Sequence, residues 1–232
     1  YKNSSVKSII CIGEPIRKKD FSYNELGKRI TSNWDVKLYS TYASTEMGVA
    51  FTECEHAVGG HYHPELILLE VIDEENNKVL DGEIGEVVIT TLEVEGMPLI
   101  RYRTGDLCSV HYAPCKCGRT TTRLGPVVGR KKQMIKFKGT TIFPPAIFDV
   151  LELLPEITIY QVEVSKNEFG NDTITIVLSE KLNTKELIYK LTNMFKSKLR
   201  VSPFITFEND SDLNKKVFRE NQRKPEKIIY LS

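Results

Sequence analysis

The chain has 232 residues, of which 41% are hydrophobic and 27% are charged, a composition typical of a globular protein that buries a core without disulfide bonds. Its 32 Lys and Arg residues balance 31 Asp and Glu residues, so the charge argues against nucleic acid as a partner. No apolar run approaches the roughly 20 residues that cross a bilayer. The five unevenly spaced cysteines argue against a secreted disulfide framework, and we expect a cytoplasmic protein without a membrane partner.

The first 50 residues carry the pattern strand, helix, strand, which predicts a parallel α/β layer. The strand patterns fall at 6–12 and 36–42, and the helix pattern falls at 20–30. In such sheets, ligands bind beyond the carboxyl ends of the strands. Gly13-Glu14-Pro15 follows the first strand and Tyr42-Ala43-Ser44-Thr45-Glu46 follows the second, so both segments are candidates for a binding site.

Residues 51-131 predict an antiparallel β subdomain. Three strand-like runs separated by polar turns lie at 66–72, 85–91 and 99–103. Asp106 follows Gly105 and is expected on a turn after the third run. Arg130 is expected to lead into the next apolar strand.

The polar residues 131–133 separate this part from a compact α+β unit at 132-232. The expected elements are a hairpin at 134–143, a helix that Pro144 opens and Pro155 ends, strands at 159–164 and 173–178, a helix capped by Asn183 with Glu186 in a capping box, and a strand at 204–208. A polar tail is expected after the last strand.

Several polar residues of the first part suit a nucleotide. The Asp106 carboxylate offers two acceptors to ribose hydroxyls, and the Arg130 guanidinium offers donors to a ribose or phosphate oxygen. Tyr42 offers a ring to adenine, whereas Thr45 and Glu46 offer oxygen atoms to phosphate and Mg²⁺. Each residue also has a plain structural interpretation: an aspartate that closes a turn, a surface arginine or a packed tyrosine.

Three segments occur in an order that resembles the adenylate-forming (acyl/aryl-CoA ligase) superfamily, and the resemblance covers essentially the whole chain. They are Tyr42-Ala43-Ser44-Thr45-Glu46, Tyr102-Arg103-Thr104-Gly105-Asp106 and Gly129-Arg130-Lys131-Lys132-Gln133-Met134. Ala43 stands in place of the usual Gly, and Lys132 stands in place of the usual hinge carboxylate. The segments that resemble the phenylacetate–CoA ligase branch are Glu53-Cys54, Gly60-His61, Cys115-Lys116-Cys117-Gly118-Arg119 and Phe143-Pro144.

The resemblance implies both a fold and an activity. The fold is the end of a large α/β domain with a β subdomain, followed by a small mobile α+β carboxyl-terminal domain. The activity is ligation of an aryl or acyl carboxylate, such as phenylacetate, to coenzyme A through an acyl adenylate, with ATP and Mg²⁺. Lys227 matches the family's catalytic lysine and Lys132 its hinge residue. The segments Gly13-Glu14-Pro15 and Ala43-Ser44 match its nucleotide-binding positions.

The family's Ser/Thr/Gly-rich phosphate loop has no counterpart in this sequence. We therefore expect the chain to be the second half of a ligase, poorly active or inactive in adenylation by itself. Two alternatives stay open: adenylation with transfer to a non-CoA acceptor, such as a carrier-protein thiol or an amine, and a non-catalytic, zinc-stapled binding module. The sequence predicts neither the acid nor the oligomeric state.

A cluster of cysteines and histidine suits a structural, tetrahedral Zn²⁺ site. The expected ligands are Cys54, His61, Cys115 and Cys117. His56 and His63 compete for the fourth position, and His63 would point to the same strand face as His61. The alternative is that the cysteines are reduced and pack as small hydrophobic side chains, as we expect for Cys11 and Cys108.

Overall fold

The computed structural model describes residues 4–137, 139–168, 170–219 and 224–231. The chain divides into two compact units, Tyr1–Lys132 and Gln133–Ser232. The division lies one residue beyond the boundary expected from the sequence, within the short 3₁₀ helix Lys131–Gln133. No helix within the described ranges is both long and apolar enough to span a membrane.

The first unit is built on an eight-stranded sheet. Its elements are β1 Ser8–Ile12, α1 Glu25–Asn33, β2 Lys37–Ala43, β3 Ala50–Glu53, β4 Gly60–His61, β5 Ile67–Ile72, β6 Ile84–Thr91, β7 Tyr102–His111 and β8 Arg123–Arg130. The strand order is β1-β2-β3-β4-β8-β7-β6-β5. The β1–β2 pair is parallel and the other pairs are antiparallel, so the expected α/β layer and β subdomain share one continuous sheet.

Helix α1 begins at Glu25, five residues after the start of the predicted range 20–30. Phe21 has a φ of +66°, which no helical residue adopts. Asn24 then forms the N-cap, because its side-chain oxygen accepts a hydrogen bond from the Gly27 N–H at 3.0 Å. The cap residue, rather than the apolar spacing, fixes where this helix starts.

Strands β3, β4 and β8 are absent from the prediction. Strand β4 has two residues, too few for a pattern. Strand β8 contains Gly125, Pro126 and Gly129, residue types that are depleted in strands. Arg130 is the last residue of β8, and the apolar strand expected after it, Ile135–Phe137, follows beyond a short 3₁₀ helix.

Asp106 lies inside β7, so the expectation that Gly105 and Asp106 form a turn after a strand is wrong. Glu86 pairs with Leu107 and Val88 pairs with Arg103, so β7 has extra residues at this point and bulges. Gly105 takes a φ of +76°, which glycine adopts without a steric penalty. The bulge turns the side chain of the following residue, Asp106, relative to a regular strand.

The second unit is an α+β structure with a four-stranded sheet of order β13-β12-β11-β14. Its elements are β9 Ile135–Phe137, β10 Thr140–Ile142, α2 Pro144–Leu151, β11 Tyr160–Lys166, β12 Asp172–Ser179, α3 Lys185–Leu199, β13 Phe204–Glu208, α4 Asp210–Val217 and β14 Ile228–Tyr230. The antiparallel pair β9–β10 confirms the predicted hairpin, although its Lys138 lies outside the described residues. Phe169, in a predicted turn, and Arg223, which precedes the Lys227 segment, also lie outside them.

The second core lies between α2, α3 and the sheet. Its fully buried side chains include Ile147, Leu151, Val162, Ile176, Leu191 and Phe195. Leu187, Leu191 and Phe195 form the buried face of α3, but the cap of this expected helix is not Asn183. The Thr184 hydroxyl accepts from the Leu187 N–H at 3.2 Å, so α3 begins one residue later and Glu186 is not in the capping-box position.

Elements α4 and β14 occupy the region expected to be a polar tail. Strand β14 pairs in parallel with β11, which lies far earlier in the chain, and α4 buries Leu213 and Val217 against Val177. Strand β14 has three residues, too few to show an alternating pattern in the sequence. Its stability comes from pairing with β11.

A buried ion pair fastens the segment after β1 to strands β2 and β3. The Arg17 Nε donates to Glu53 Oε1 at 3.0 Å, and the two side chains are 7% and 3% exposed. Arg17 Nη2 also donates to the Leu38 carbonyl at 3.1 Å, and the Ser40 N–H donates to Glu53 at 2.9 Å. Both charges are therefore paired and hydrogen-bonded, as buried charges must be.

A second acidic residue, Glu86, braces the end of the first unit. Its carboxylate accepts from Arg103 Nε at 3.1 Å and from Lys131 Nζ at 3.4 Å. Burial opposes ionisation of Glu86, but the hydrogen bonds and charges of Arg103 and Lys131 outweigh it and lower the pKa of the carboxyl. The last residues before the unit boundary are thus tied to the sheet.

We predict that Arg17→Met lowers the free energy of unfolding of the first unit by about 3–5 kcal/mol, because Glu53 is left charged, buried and unpaired. The single tryptophan, Trp34, lies in this unit, so its fluorescence during urea denaturation reports the loss. The double variant Arg17→Met/Glu53→Leu removes both charges and should recover most of the stability. A single variant within about 1 kcal/mol of the parent contradicts the prediction.

We also predict a pH effect at Glu86. Its pKa is lowered from 4.5, so its stabilising contribution is complete above that value and is lost as the pH falls through the lower pKa of the folded protein. Below about pH 4.5, the first unit of the Glu86→Gln variant should therefore lose less stability per pH unit than that of the parent, measured by the same fluorescence assay. An identical decline in parent and variant excludes this role.

Candidate active site and metal cluster

Asp106 lies between two polar partners in the first unit. The Tyr42 hydroxyl donates to Asp106 Oδ2 at 2.9 Å, and Arg130 Nε donates to Asp106 Oδ1 at 3.0 Å. The Asp106 side chain is 11% exposed and that of Arg130 is 67% exposed. The carboxylate is thus held in one orientation, while the guanidinium keeps donors free to reach an added group.

The sheet brings these three residues together from distant positions in the sequence. Tyr42 lies near the end of β2, Asp106 follows the β7 bulge, and Arg130 ends β8 directly opposite Asp106 in the register. The Asp106 N–H donates to the Thr104 hydroxyl at 3.1 Å, which steadies the backbone at the bulge. The Asp106 carboxylate and the Arg130 guanidinium are therefore close enough to contact one bound group.

Tyr42 has a different environment from the one expected of an adenine-stacking ring. Its ring packs on Phe51, with centroids 5.7 Å apart, and its hydroxyl is committed to Asp106. Burial raises the pKa of the Tyr42 phenol, and the neighbouring Cys108 and Asp106 add to the effect, so the hydroxyl stays protonated and donates. Tyr42 therefore orients Asp106 in this structure.

Thr45 and Glu46 lie at the tip of the turn between β2 and β3, and both are exposed. Hydrogen bonds from the Glu46 backbone and from Ser44 lower the pKa of the Glu46 carboxyl, and the charge of Arg130 contributes. The turn thus presents an ionised carboxylate near Arg130. An exposed carboxylate and hydroxyl are suitable ligands for Mg²⁺ and its phosphates.

Gly13-Glu14-Pro15 follows β1 at the same edge of the sheet. Ile12 pairs with Thr41 in the parallel register, so the loop leaves the sheet beside Tyr42. The Asn24 side-chain amide donates to the Pro15 carbonyl at 2.7 Å and holds the loop against the N-terminus of α1. Both expected ligand-facing segments of the α/β layer therefore emerge side by side.

Four metal-binding side chains also converge in the first unit. They are Cys54, His61, Cys115 and Cys117, whose ligand atoms all lie within 4.8 Å of one another. His61 is the histidine that lies with the three cysteines, whereas exposed His63 bonds to Glu65 and His56 lies beside Glu55. Strand β4 ends at His61, so the expectation that His63 shares its strand face is wrong.

Two distances within the cluster match those of a tetrahedral zinc site. A Zn²⁺ with Zn–S bonds of about 2.3 Å and Zn–N bonds of about 2.0 Å places two sulfurs about 3.8 Å apart and sulfur and nitrogen about 3.5 Å apart. The Cys54 and Cys115 sulfurs are 3.7 Å apart, and Cys117 Sγ lies 3.5 Å from His61 Nε2. His61 Nδ1 contacts the Thr121 hydroxyl at 3.2 Å, so the ring is oriented from behind.

The electrostatics of the cluster agree with that geometry. Burial lowers the pKa of His61, which favours the neutral imidazole that a metal needs. Hydrogen bonds from the backbone and side chain of Arg119 lower the pKa of the Cys117 thiol to about 7. Gly118, with a φ of +88°, lets the loop double back so that the Gly118 N–H donates to the Cys115 carbonyl at 3.0 Å.

The remaining expected site residues lie near or beyond the unit boundary. Lys132 is exposed in the 3₁₀ helix at the end of the first unit. Lys227 belongs to the second unit and precedes β14, where its Nζ donates to Glu152 at 2.8 Å. Sequence reasoning did not identify Glu152 as the partner of Lys227, nor the ion pairs of Arg17 and Glu86, because each pair joins residues that share no local pattern.

The comparisons with known proteins agree on one group of enzymes. The chain is 36% identical over 144 residues to the phenylacetate–coenzyme A ligase of Thermus thermophilus, which is 60% of this chain and 32% of that protein. It is 30% identical over 155 residues to the phenylacetate–coenzyme A ligase of Pseudomonas putida, which is 62% of this chain and 33% of that protein. The chain thus spans about a third of the length of the curated relatives that it matches. No protein-family model matches it.

Among solved structures, the chain resembles 2-hydroxyisobutyryl-CoA ligase in its postadenylation state in complex with R3-HIB-AMP. The TM-score is 0.76 at 23% identity, over 97% of this chain and 48% of that one. This likeness shows the mixed α/β fold predicted from the sequence. The chain is therefore similar in sequence to phenylacetate–coenzyme A ligases, and it has the fold of the carboxyl-terminal part of the adenylate-forming ligases.

Proposed function

We propose that this chain is the carboxyl-terminal portion of an ATP-dependent ligase that joins an aryl or acyl carboxylate, such as phenylacetate, to coenzyme A. The observation that carries the proposal is the Asp106 carboxylate, fixed between the Tyr42 hydroxyl and the Arg130 guanidinium. The relatives are named phenylacetate–coenzyme A ligases, which supports phenylacetate as the acid and coenzyme A as the acceptor.

In the proposed site, Asp106 accepts the ribose hydroxyls of ATP, and Arg130 binds a ribose or phosphate oxygen. Gly13-Glu14-Pro15 and the Tyr42-Ala43-Ser44 segment lie against the adenine side. Thr45 and Glu46 bind phosphate oxygens and Mg²⁺, whose charge offsets that of the phosphates. The phosphate loop that such an enzyme needs is supplied by other residues of the natural full-length protein.

The proposed reaction has two steps. First, an oxygen of the substrate carboxylate attacks the α-phosphorus of ATP, and pyrophosphate leaves with the electrons of the broken bond. The coenzyme A thiolate then attacks the acyl carbon, and AMP leaves. Lys227 stabilises the negative charge that builds up in the first step. Rotation about Lys132 then removes Lys227 and opens the path for the thiol.

We also infer that Cys54, His61, Cys115 and Cys117 bind a structural Zn²⁺. Four protein ligands leave no open coordination position, so the metal would join β3, β4 and the loop after β7 rather than take part in the reaction. None of the five cysteines is joined in a disulfide, which supports a reducing compartment, and we place the enzyme in the cytoplasm on that ground.

We predict that Asp106→Ala in the natural full-length protein raises the KM for ATP by about 10- to 100-fold and lowers kcat, because two charge-assisted hydrogen bonds to the ribose are lost. Pyrophosphate release measures both constants. The matched control is Asp35→Ala, which removes an exposed aspartate from the same unit and should leave both constants unchanged. If Asp106→Ala changes neither constant, the ribose assignment is wrong.

We predict one zinc ion for each chain, measured by elemental analysis after purification without added metal. Cys117→Ser should lower the zinc content to about a tenth or less, because a serine hydroxyl is a poor replacement for a thiolate. Cys11→Ser, outside the cluster, serves as the control. Cobalt substitution should give the visible absorption of a tetrahedral thiolate site. An unchanged zinc content in Cys117→Ser would exclude this set of ligands.

A further inference from the structure

The backbone around Lys227 is fixed to the core of the second unit. The Lys227 carbonyl accepts from the Val162 N–H at 2.9 Å, and the Glu226 N–H donates to the Val217 carbonyl at 2.7 Å. The fully buried Gln161 donates from its side-chain amide to the Glu226 carbonyl at 3.1 Å. These hydrogen bonds hold the backbone of Lys227 against the second unit.

The side chain of Lys227 is held as well. Its Nζ donates to Glu152 Oε1 at 2.8 Å, and the Tyr160 hydroxyl donates to the same oxygen at 3.1 Å. The ammonium also lies 5.3 Å from the Tyr160 ring centroid and 5.6 Å from that of Phe148. A carboxylate and two aromatic faces thus surround one end of a side chain that would otherwise sample many rotamers.

Glu152 occupies a position that is unfavourable for an acidic residue. It is the C-cap of α2, where its N–H donates to the Phe148 carbonyl, and the carbonyl end of a helix disfavours a negative charge. The ammonium of Lys227 supplies the opposite charge there. The pair thus places a cation where the local backbone favours one, with the carboxylate as its anchor.

The contacts of Lys227 leave room for an anion. An ammonium has three N–H donors, and Glu152 takes one of them. The Lys227 side chain is 38% exposed, so an anionic group can reach it without first breaking the bond to Glu152. The arrangement therefore holds the ammonium in place rather than hiding it.

Building on the proposed function, we propose that Glu152, with Tyr160 and Phe148, is a positioning residue that presents the Lys227 ammonium ready-oriented for the adenylation step. The rigid backbone and the held side chain together allow the unit to deliver a charge at a fixed place. Orientation of this kind lowers the barrier because the side chain is ordered before the reaction begins. Glu152 would have no part in the thiol step, from which Lys227 is withdrawn.

The test compares the two half-reactions in the natural full-length protein. Adenylation is measured as pyrophosphate release without coenzyme A, and the thiol step as thioester formation from pre-formed phenylacetyl adenylate and coenzyme A. We expect Glu152→Gln to slow adenylation by about 10- to 100-fold and to leave the thiol step within about twofold. Tyr160→Phe, which removes one hydrogen bond to Glu152 and keeps the ring, should slow adenylation by a smaller factor.

The control is Glu163→Gln, which removes another carboxylate of the second unit, one that lies 3.9 Å from Lys216. Adenylation that is unchanged or faster in Glu152→Gln overturns the proposal, as does an equal loss in both half-reactions, which would indicate a purely structural role. Lys227→Ala separates the two hypotheses. If it retains adenylation, the proposed role of the lysine fails; if it loses adenylation while Glu152→Gln retains it, only the role of Glu152 fails.

Discussion

The carboxylate of Asp106 joins three strands of the first unit: β7 carries it, β2 supplies the Tyr42 hydroxyl and β8 supplies the Arg130 guanidinium. A largely buried carboxylate requires hydrogen-bond partners, so its position constrains β7 at the bulge and the ends of β2 and β8. The bulge at Gly105 makes this possible, because a regular strand would not turn the aspartate in the same way. A bound ligand with hydroxyl groups could donate to the same Asp106 carboxylate in place of the Tyr42 hydroxyl or the Arg130 guanidinium.

Much of this arrangement follows from local sequence patterns. The parallel β1–β2 pair, the antiparallel strands β5 and β6 and the helix α3 all follow from residue patterns. The order of the polar segments also anticipates that Asp106 and Arg130 meet. What sequence reasoning missed depends on pairing between distant segments: β4 has two residues and β14 has three, and each is stable only beside its partner.

Side-chain partners are the least predictable part of the site. Nothing in the segment around Tyr42 shows that its hydroxyl serves Asp106 rather than a ligand, because the contact depends on the bulge. The choice of His61 over His63 likewise depends on where β4 ends, which alternation alone does not reveal. Chemistry-bearing residue types can be read from the sequence, whereas their partners are set by tertiary structure.

The central claim is that Asp106 recognises the sugar of a nucleotide. The most direct test measures the affinity of the natural full-length protein for AMP and for 2′,3′-dideoxy-AMP by calorimetry, in the parent and in Asp106→Ala. The parent should bind AMP at least about tenfold more tightly than the dideoxy analogue, and the variant should bind both with similar, weaker affinity. A variant that still prefers AMP by the same factor as the parent would contradict the account.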